Sequence, residues 1–451
     1  MLRSAVAESA SSARAAAVAL LESLHGAPDD TPLPVLVDRV ARRQNLDIRD
    51  TALLTELICG VLRTEKRLWA LLKPFLRKPD SLPKPLRFLL LTAAYELLFL
   101  DHIPSRATVH QAVSLAGRRY GSALGGVANA VLRALDRDLD RVRAEDASFL
   151  ARDPELATVD DVERLGSLPS DLAAQWIRDY GPAGAWAFAR QAGCRPAPGW
   201  RVNAGHPDAE DTRRALLKAG GQATGRYGVV FPRPHADLLP LLERLESEGR
   251  LTRQGTGALL AAEHLIDIIH ADGYPAGSPL WDACCGRGGK TCALLERGIS
   301  VALASDPAPS RLRGLETALT RLRLPRPELS CSPAQALAPA LTGRFPLILL
   351  DVPCSGTGTL ARNPELRLRL GLKRRTELSS LQTELLDAAW GALAPGGLLA
   401  YATCALRREE NEKRIASFLA SRTDAFLRTQ TLIAPDFPGQ DVLFIALIRK
   451  N

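Results

Sequence analysis

The strongest constraint on the fold is a pair of cysteine-containing strings, each of which follows an apolar run of strand length. The first string reads DVPCSGTG at residues 351–358 and follows LILL; the second reads YATC at 401–404 and follows LLA. Short apolar runs of this kind predict buried strands. Because open α/β sheets carry their chemistry at the carboxyl ends of strands, we expect Cys354 and Cys404 to meet in one crevice.

Length and charge bound the architecture and the partners. A chain of 451 residues predicts two or three domains. Its 46% hydrophobic and 24% charged residues are typical of a soluble globular protein, and no run reaches the roughly 18 apolar residues of a membrane span, so no membrane partner is expected. The net charge of +8 favours a polyanionic partner, with nucleic acid as the first candidate.

The eight cysteines indicate neither a metal site nor a disulfide framework. None forms C-x-x-C, and no histidine lies at a zinc-ligand spacing from them. Positions 1–10 contain Arg3 and Glu8 and lack the apolar core of a signal peptide. These features predict a protein of the reducing cytoplasm that binds no structural metal.

Periodicity divides the chain into four parts. Residues 1–140 place apolar side chains at spacings of three and four and predict an all-helical bundle. Residues 141–167 are charged and aperiodic and predict a linker. Residues 168–249 predict one helix followed by a small α+β subdomain, and residues 250–451 predict an α/β domain with a mostly parallel sheet.

One third of the predicted bundle is crowded with basic residues. A solvated basic surface and an RNA-binding face are equally consistent with charge alone. The residues are Arg63, Lys66, Arg67, Lys73, Arg77, Lys78, Lys84 and Arg87.

A glycine-rich turn predicts a cofactor site. A strand at 279–284 runs into the turn, and a helix begins near Cys292. Glycines there let the backbone approach a ligand, and the helix offers N–H groups to a negative group. Asp306 ends the next strand, where it could accept hydrogen bonds from a ribose or simply cap a helix. The candidate cofactor-binding residues are Cys284, Cys285, Gly286, Arg287, Gly288, Gly289, Lys290, Asp306 and Asp351.

Two nucleotide-binding motifs do not fit this turn. A phosphate-binding P-loop needs glycine at the position that Cys284 occupies, and a dinucleotide fold needs a third glycine that does not arrive in register. Recognition of S-adenosylmethionine is the interpretation that we favour.

The N-terminal half resembles a known RNA-binding module. Strings at 50–63, 95–104 and 127–133 resemble the RNA-binding domain of the antitermination factor NusB, which is fused ahead of the catalytic part in RNA cytosine methyltransferases of the RsmB kind. The triplet RVN at 201–203 is similar to the Arg-x-Asn triplet in a small RRM-like subdomain of the same family.

The C-terminal half carries the matching catalytic motifs. Residues 282–291 resemble the cofactor loop of the RsmB/Nop/Sun family of RNA (cytosine-5) methyltransferases; 351–358 with RNPE at 362–365 resembles its fourth motif, and 401–404 with EENE at 409–412 its sixth. The resemblance implies a Rossmann-like class I methyltransferase that uses S-adenosyl-L-methionine to methylate RNA, with small-subunit ribosomal RNA as substrate. We expect a monomer.

The resemblance also implies roles for four residues. Cytosine C5 needs activation, which a thiolate supplies by adding at C6. The family pattern gives attack to Cys404 and product release to Cys354, although DNA cytosine methyltransferases use a Pro-Cys nucleophile and residue type alone permits the exchange. Asp351 is expected to hydrogen-bond the exocyclic amine or N3 of the flipped base. Lys290 is expected to contact the cofactor carboxylate or the base.

Several positions depart from the family pattern. Arg287 replaces a proline in the cofactor loop, no acidic residue occurs at 329–333, Pro346 replaces a common aspartate, and Gln254 is what remains of a Gln-Asp-x-x-Ser string. An alternative function is therefore a catalytically weak RNA-binding factor in ribosome assembly or antitermination. Methylation of DNA or protein is disfavoured because it leaves the NusB-like domain and the Arg-x-Asn subdomain without a purpose.

Overall fold

The computed structural model describes residues 13–26, 31–232, 236–434, 437 and 439–451. The N-terminal positions used for the leader prediction lie outside this part. The chain forms two compact units. The helical unit contains the described residues up to Arg195 together with Asn363–Leu370; the α/β unit contains Pro196–Arg362 and Gly371–Asn451. Within the described residues, no helix is both long and apolar enough to cross a bilayer.

The helical unit is built around α4, which is buried on nearly all sides and therefore apolar around its whole circumference. Its one acidic residue, Glu96, is buried and accepts hydrogen bonds from Arg14 (Nη2–Oε2 2.7 Å) and Thr108 (3.1 Å), which satisfies the buried carboxylate. The helices are α1 (Ala13–Gly26), α2 (Leu33–Arg43), α3 (Ile48–Leu72), α4 (Lys84–Phe99), α5 (Ser105–Tyr120), α6 (Ser122–Arg137), α7 (Leu139–Leu150), α8 (Val159–Gly166) and α9 (Ser170–Gly193).

The predicted linker differs from the structure. Residues 141–167 form most of α7 and all of α8, and they belong to the helical unit, as does α9, which is kinked at Gly181. A capping box between Thr158 and Asp161 begins α8. The helices are short and rich in Asp, Glu and Arg, so their apolar period is weak, but the capping box was a readable start signal.

Half of the basic cluster has a structural role within the helical unit. Arg63 is buried, Lys66 pairs with Glu163, Arg67 pairs with Asp146, and Arg87 lies 4.3 Å above the Trp69 ring. These cations neutralise or cover neighbouring groups, so they do not form an open RNA-binding face. The exposed members are Lys73, Arg77, Lys78 and Lys84.

The segment Asn363–Leu370 is part of the helical unit although it follows the DVPCSGTG string in sequence. The buried guanidinium of Arg367 donates hydrogen bonds to the carbonyl oxygens of Leu62 and Ala192. Glu365 accepts one from the backbone N–H of Leu33 (3.2 Å). A buried cation needs such acceptors, so this short stretch is specified by the helical unit.

The first part of the α/β unit is a small subdomain. Its described residues form a four-stranded antiparallel sheet in the order β2-β3-β1-β4. The element sequence β-α-β-β-α-β is the split βαβ arrangement of RRM-like folds. The elements are β1 (Gly199–Val202), α10 (Ala209–Lys218), β2 (Gln222–Thr224), β3 (Gly228–Val230), α11 (Leu239–Ser247) and β4 (Leu251–Arg253).

The second part contains a seven-stranded sheet, counted over the described residues, in the order β10-β11-β9-β8-β5-β6-β7. Strands β5 to β9 pair in parallel, whereas β11 is antiparallel to both neighbours. The strands are β5 (Leu280–Asp282), β6 (Val301–Ser305), β7 (Glu328–Ser330), β8 (Phe345–Asp351), β9 (Leu393–Thr403), β10 (Ala425–Ile433) and β11 (Leu443–Lys450). The helices are α12 (Thr256–Ala271), α13 (Gly289–Glu296), α14 (Pro309–Leu322), α15 (Ala334–Leu337), α16 (Leu372–Ala392) and α17 (Glu412–Ala420).

This topology confirms the predicted fold class, a helical bundle joined to an RRM-like subdomain and a Rossmann-like α/β domain with a mostly parallel sheet. From β5 the chain passes outward to β6 and β7 and then returns to β8 on the other side. A crevice forms where the strand order reverses. The loops that follow β5, β8 and β9 therefore converge at one edge of the sheet.

Candidate functional site

The glycine-rich loop after β5 has a backbone conformation that favours glycine. Gly286 and Gly288 have φ of 56° and 81°, in the left-handed region that favours glycine. A Cβ on Gly288 would lie 2.2 Å from the Leu315 side chain. The next helix, α13, starts without a side-chain cap, so its N-terminal N–H groups are available to a ligand carboxylate.

Asp306 closes this loop from the end of β6. Its buried carboxylate accepts hydrogen bonds from the backbone N–H groups of Gly286 (3.2 Å) and Ala308 (2.8 Å). Arg311 approaches the same carboxylate at 3.3 Å. Asp306 therefore fixes the loop and also orders the start of α14. This position is compatible with both roles considered from the sequence, a ribose acceptor and a helix cap. A ribose hydroxyl at this position would share the carboxylate with Gly286.

Arg287 and the two loop cysteines differ in character. The Arg287 side chain is exposed, and its aliphatic part lies next to Gly314. Burial, followed by the nearby Asp282 carboxylate, raises the pKa of both Cys284 and Cys285. These two cysteines therefore remain neutral thiols that shape the loop.

Among the described residues, no group of three or more His, Cys, Asp and Glu side chains is arranged to hold a metal ion.

An ion pair joins the cofactor loop to the tip of β8. Lys290 Nζ lies 2.6 Å from Asp351 Oδ2, although the two residues are 61 positions apart in sequence. Burial lowers the pKa of Lys290, but the Asp351 carboxylate and then Cys404 outweigh it, so the net pKa is raised. Lys290 therefore remains a cation paired with the Asp351 carboxylate, and Cys404 is close enough to contribute to its raised pKa.

The two predicted cysteines are in contact. Cys354 Sγ and Cys404 Sγ are 3.2 Å apart, and the backbone N–H of Cys404 points to Cys354 Sγ at 3.3 Å. The hydrogen bond to Cys404 and then burial raise the pKa of Cys354 well above that of a free thiol. Cys354 therefore retains its proton and can donate it to the neighbouring sulfur.

A buried polar network holds the two cysteine loops in register. Glu410 accepts hydrogen bonds from the backbone N–H of Ser355 (2.8 Å) and from Gln382 (2.9 Å). Thr403 donates to Asn411 Oδ1 at 2.6 Å. The EENE string served as a family match only, and this supporting role was not predicted from it; the adjacent Glu410–Asn411 pair close after YATC was the available signal.

Close backbone contact also ties these loops together. The Gly358 N–H donates to the Cys404 carbonyl at 2.8 Å, and the Val442 N–H donates to the Gly358 carbonyl at 2.9 Å. A Cβ on Gly358 would lie 2.2 Å from the Val442 oxygen. The last glycine of DVPCSGTG is therefore required because three backbone segments meet there.

Arg201 supports the cofactor loop from the small subdomain. Its guanidinium is buried, donates to both Glu296 oxygens (2.7 and 2.8 Å) and to Gln254, and reaches the Gly289 carbonyl at 2.8 Å. Gly289 is the first residue of α13. Arg201 thus links β1 to the start of α13, a role that the triplet RVN alone did not indicate.

We expect Arg201→Ala to destabilise the α/β unit by about 3–5 kcal/mol, because it leaves the Glu296 carboxylate buried without its cation. The double variant Arg201→Met with Glu296→Leu removes both charges and should recover most of that stability. It still lacks the hydrogen bond to Gly289, so its affinity for S-adenosylmethionine should stay below that of wild type. Calorimetry and thermal unfolding measure both effects.

Arg253→Ala is the control for these variants, because Arg253 lies in the same small sheet with a largely exposed side chain. If the double variant binds S-adenosylmethionine as tightly as wild type, Arg201 stabilises the unit without positioning the loop.

Asp282 gives a pH-dependent prediction. Burial raises its pKa to about 7, although the hydrogen bond that Thr291 donates to it (2.6 Å) lowers the pKa. Between its ordinary pKa of 3.8 and about 7, the folded protein binds a proton that the unfolded chain does not. Stability contributed by this group is therefore lost as pH rises through that window, by up to about 1.4 kcal/mol per pH unit.

Asp282→Asn should remove this dependence while keeping an acceptor for Thr291. Thermal unfolding of both proteins from pH 4.5 to 7.5 should show the midpoint of wild type falling relative to that of the variant. Parallel midpoints across this range would contradict the raised pKa.

Comparison with known proteins was consistent across sequence and structure. The family model described as 16S rRNA methyltransferase RsmB/F matches residues 276–442, and the NusB family model matches residues 11–137. The chain is 33% identical over 420 residues to ribosomal RNA small subunit methyltransferase B of Pseudomonas syringae pv. tomato, covering 91% of this chain and 87% of that protein. It is 32% identical over 417 residues to the protein of the same name from Vibrio cholerae, covering 89% and 88%.

Solved structures share the fold. The crystal structure of PH0851 aligns with a TM-score of 0.68 at 22% identity and covers 98% of this chain and 100% of that one. A methyltransferase homologue from Pyrococcus horikoshii aligns with a TM-score of 0.54 at 24% identity and covers 65% of this chain and 98% of its own.

Proposed function

Since the chain belongs to the ribosomal RNA small subunit methyltransferase B family and is an RNA methyltransferase, we propose that it methylates C5 of a cytosine in small-subunit ribosomal RNA through a covalent Cys404 adduct. The observation that carries this proposal is the 3.2 Å contact between Cys354 and Cys404. The Lys290–Asp351 ion pair lies at the carboxyl end of β8, the strand that precedes Cys354. Two thiols, a carboxylate and a cation at one crevice suit addition to a pyrimidine ring.

The residues of the loop fit S-adenosyl-L-methionine. The uncapped start of α13 offers N–H donors to the cofactor carboxylate. The Gly286–Gly288 turn lets the backbone approach the sulfonium nucleoside closely. The Asp306 carboxylate offers acceptors to the ribose hydroxyls. Bound there, the cofactor supplies an electrophilic methyl group. The remaining chemistry is left to side chains of this chain.

Cys404 carries the covalent step in this proposal. Its thiolate forms a bond to C6 of the base, and the C5–C6 electron pair becomes available at C5 for the methyl group. After transfer, a base removes the C5 proton, the electrons return to the ring, and the C6–S bond breaks. The product is 5-methylcytidine, and the Cys404 thiolate is regenerated.

The raised pKa of Cys354 supports the assignment of attack to Cys404. Because the contact with Cys404 and burial raise its pKa, Cys354 is suited to donate a hydrogen bond and poorly suited to attack as a thiolate. A thiol 3.2 Å from the attacking sulfur can stabilise the sulfur anion that forms when the C6–S bond breaks. This suits a role in product release.

In this proposal Asp351 contacts the base, and Lys290 holds the Asp351 carboxylate in place. The Asp351 carboxylate accepts a hydrogen bond from the exocyclic amine or from protonated N3 and stabilises positive charge that develops on the ring. Lys290 holds that carboxylate in place and interacts electrostatically with Cys404. Loss of either one is expected to impair addition at C6.

The helical unit contributes RNA binding in this proposal, in keeping with its match to the NusB family model. We place the protein in the cytoplasm, where ribosomal RNA is assembled, and propose that it acts as a monomer.

Transfer of radiolabelled methyl to small-subunit ribosomal RNA tests the proposed function. Nucleoside analysis of the product should give 5-methylcytidine, and duplex DNA should remain unlabelled. The alternative, a catalytically weak RNA-binding factor, predicts RNA binding without label and without micromolar affinity for S-adenosylmethionine or S-adenosylhomocysteine by calorimetry. The exposed Arg287 in place of a proline is the observation that keeps this alternative open.

A further inference from the structure

The helical hairpin of α5 and α6 opens into a cleft. The helices meet at Gly121 and are closest near the turn, where a Cβ on Gly125 would lie 3.1 Å from the Gly117 Cα. Away from the turn they enclose a cleft of about 560 Å³. This volume is within the range of sites that hold a small ligand. The lining residues are Arg106, Val109, His110, Val113, Ser114, Asn129, Arg133 and Asp136.

The two walls of the cleft carry matching polar groups. Arg106 and His110 are one turn apart on α5, and Asn129 and Arg133 are one turn apart on α6. Arg133 Nε donates to Asn129 Oδ1 at 2.9 Å. This hydrogen bond orients the amide and leaves its NH₂ group and the terminal guanidinium nitrogens of Arg133 as donors for a ligand.

One end of the cleft favours a negative group. Arg106 lies in the first turn of α5, which has Pro104 at its N-cap and no side-chain cap. The helix terminus and the guanidinium therefore add their positive charge at the same place. Val113, which is half-buried, supplies an apolar surface beside it, which suits the face of a base or a ribose.

We infer that this cleft binds one nucleotide of single-stranded RNA, with its phosphate held between Arg106 and Arg133. The inference rests on the proposed function, because it assumes an RNA substrate. Single-stranded RNA is bound through phosphates and through stacking on His and Arg side chains. Asp136 can accept a hydrogen bond from a 2′-hydroxyl or an exocyclic amine, donor groups that a nucleotide has and the carboxylates of an acidic peptide lack.

RNA contacts on the helical unit depend on which of its basic side chains remain accessible. Half of the basic cluster singled out in the sequence is used in buried or paired positions. Arg106, His110 and Arg133 are exposed, and the side chains of Arg106 and His110 form no hydrogen bond or ion pair with other described residues. The cleft thus presents cations that are still available for phosphate.

The test uses the full-length double variant Arg106→Ala with Arg133→Ala and a fluorescent single-stranded RNA dodecamer. Binding should weaken about tenfold, and the slope of log K against log salt should fall by about 0.7, because the contact with one phosphate is lost. In methyl-transfer assays with ribosomal RNA, KM should rise while kcat stays near that of wild type. A dodecamer of 4-thiouridine should crosslink to the peptides that contain 106–114 and 129–136.

The control is Arg39→Ala with Arg137→Ala, which removes two exposed arginines of the same unit that do not line the cleft. Equal loss of RNA binding in both double variants, or none in the cleft variant, overturns the inference. So does a cleft variant that loses binding to a polyglutamate peptide but not to RNA. Failure of wild type to transfer methyl overturns the proposed function instead, and the dodecamer measurement distinguishes the two.

Discussion

Replacing Cys404 with alanine is expected to lower the rate of methyl transfer to ribosomal RNA by at least about 10³-fold, because it removes the sulfur that makes the C6 bond in the proposed mechanism. The neighbouring Cys354 lies only 3.2 Å away, but its raised pKa keeps it protonated. Single-turnover transfer of radiolabelled methyl, with RNA and cofactor both saturating, measures the chemical step directly.

The control for this variant is Cys331→Ala, since Cys331 is exposed in the same unit and makes no contact with the two reactive cysteines. It should transfer methyl as wild type does. Calorimetry should show that Cys404→Ala retains affinity for S-adenosylmethionine. If Cys404→Ala remains active while Cys354→Ala loses transfer, the roles of the two thiols are exchanged, as in the Pro-Cys arrangement of DNA methyltransferases.

Asp351→Asn is expected to lower kcat by about 10²- to 10³-fold, the range for losing one group that stabilises charge in a transition state. The substitution keeps the size of the side chain but removes the charge that accepts from the base and pairs with Lys290. Because the interaction strengthens as the ring becomes charged, KM for RNA should change little.

Glu328→Gln serves as the matched control, because it neutralises an exposed carboxylate on β7 of the same sheet. A fall in RNA affinity for Asp351→Asn with kcat unchanged would show that Asp351 only binds substrate. Equal effects of both substitutions would indicate a general effect of charge on this surface.

The crevice itself could be predicted from the sequence because its determinants are local. The apolar runs before DVPCSGTG and YATC fixed two buried strands, and parallel strands end at the same edge of a sheet. The structure accordingly brings Cys354, Cys404, Asp351 and Lys290 together. The glycine-rich turn could be predicted for the same reason, since its glycines precede a helix in the sequence.

The elements that were missed depend on contacts between distant residues. Strands β2 and β4 have three residues each, too few for an alternating pattern to stand out. The edge strand β10 is half-buried or exposed along its whole length and mixed in polarity, and Arg428 and Gln430 interrupt its apolar residues, so no long apolar run marks it. The final strand, β11, lies inside the sheet because β10 pairs on its outer side, and no local pattern in the sequence indicates this order.

Long-range polar partners are a second limit. Arg201 and Glu296 are separated by 95 positions, and neither residue type in its local context reveals the other. The same holds for Arg367, whose acceptors Leu62 and Ala192 lie in the helical unit far earlier in the chain. A single sequence gives composition and period, but it does not give the pairing of buried charges.

The central claim is that Cys404 forms a covalent bond to the RNA and that Cys354 is needed to release it. The most direct measurement is a denaturing gel of Cys354→Ala after incubation with ribosomal RNA and S-adenosylmethionine. We predict an RNA–protein adduct that survives denaturant in this variant and disappears when Cys404→Ala is added. An adduct that persists without Cys404 would contradict the proposed mechanism.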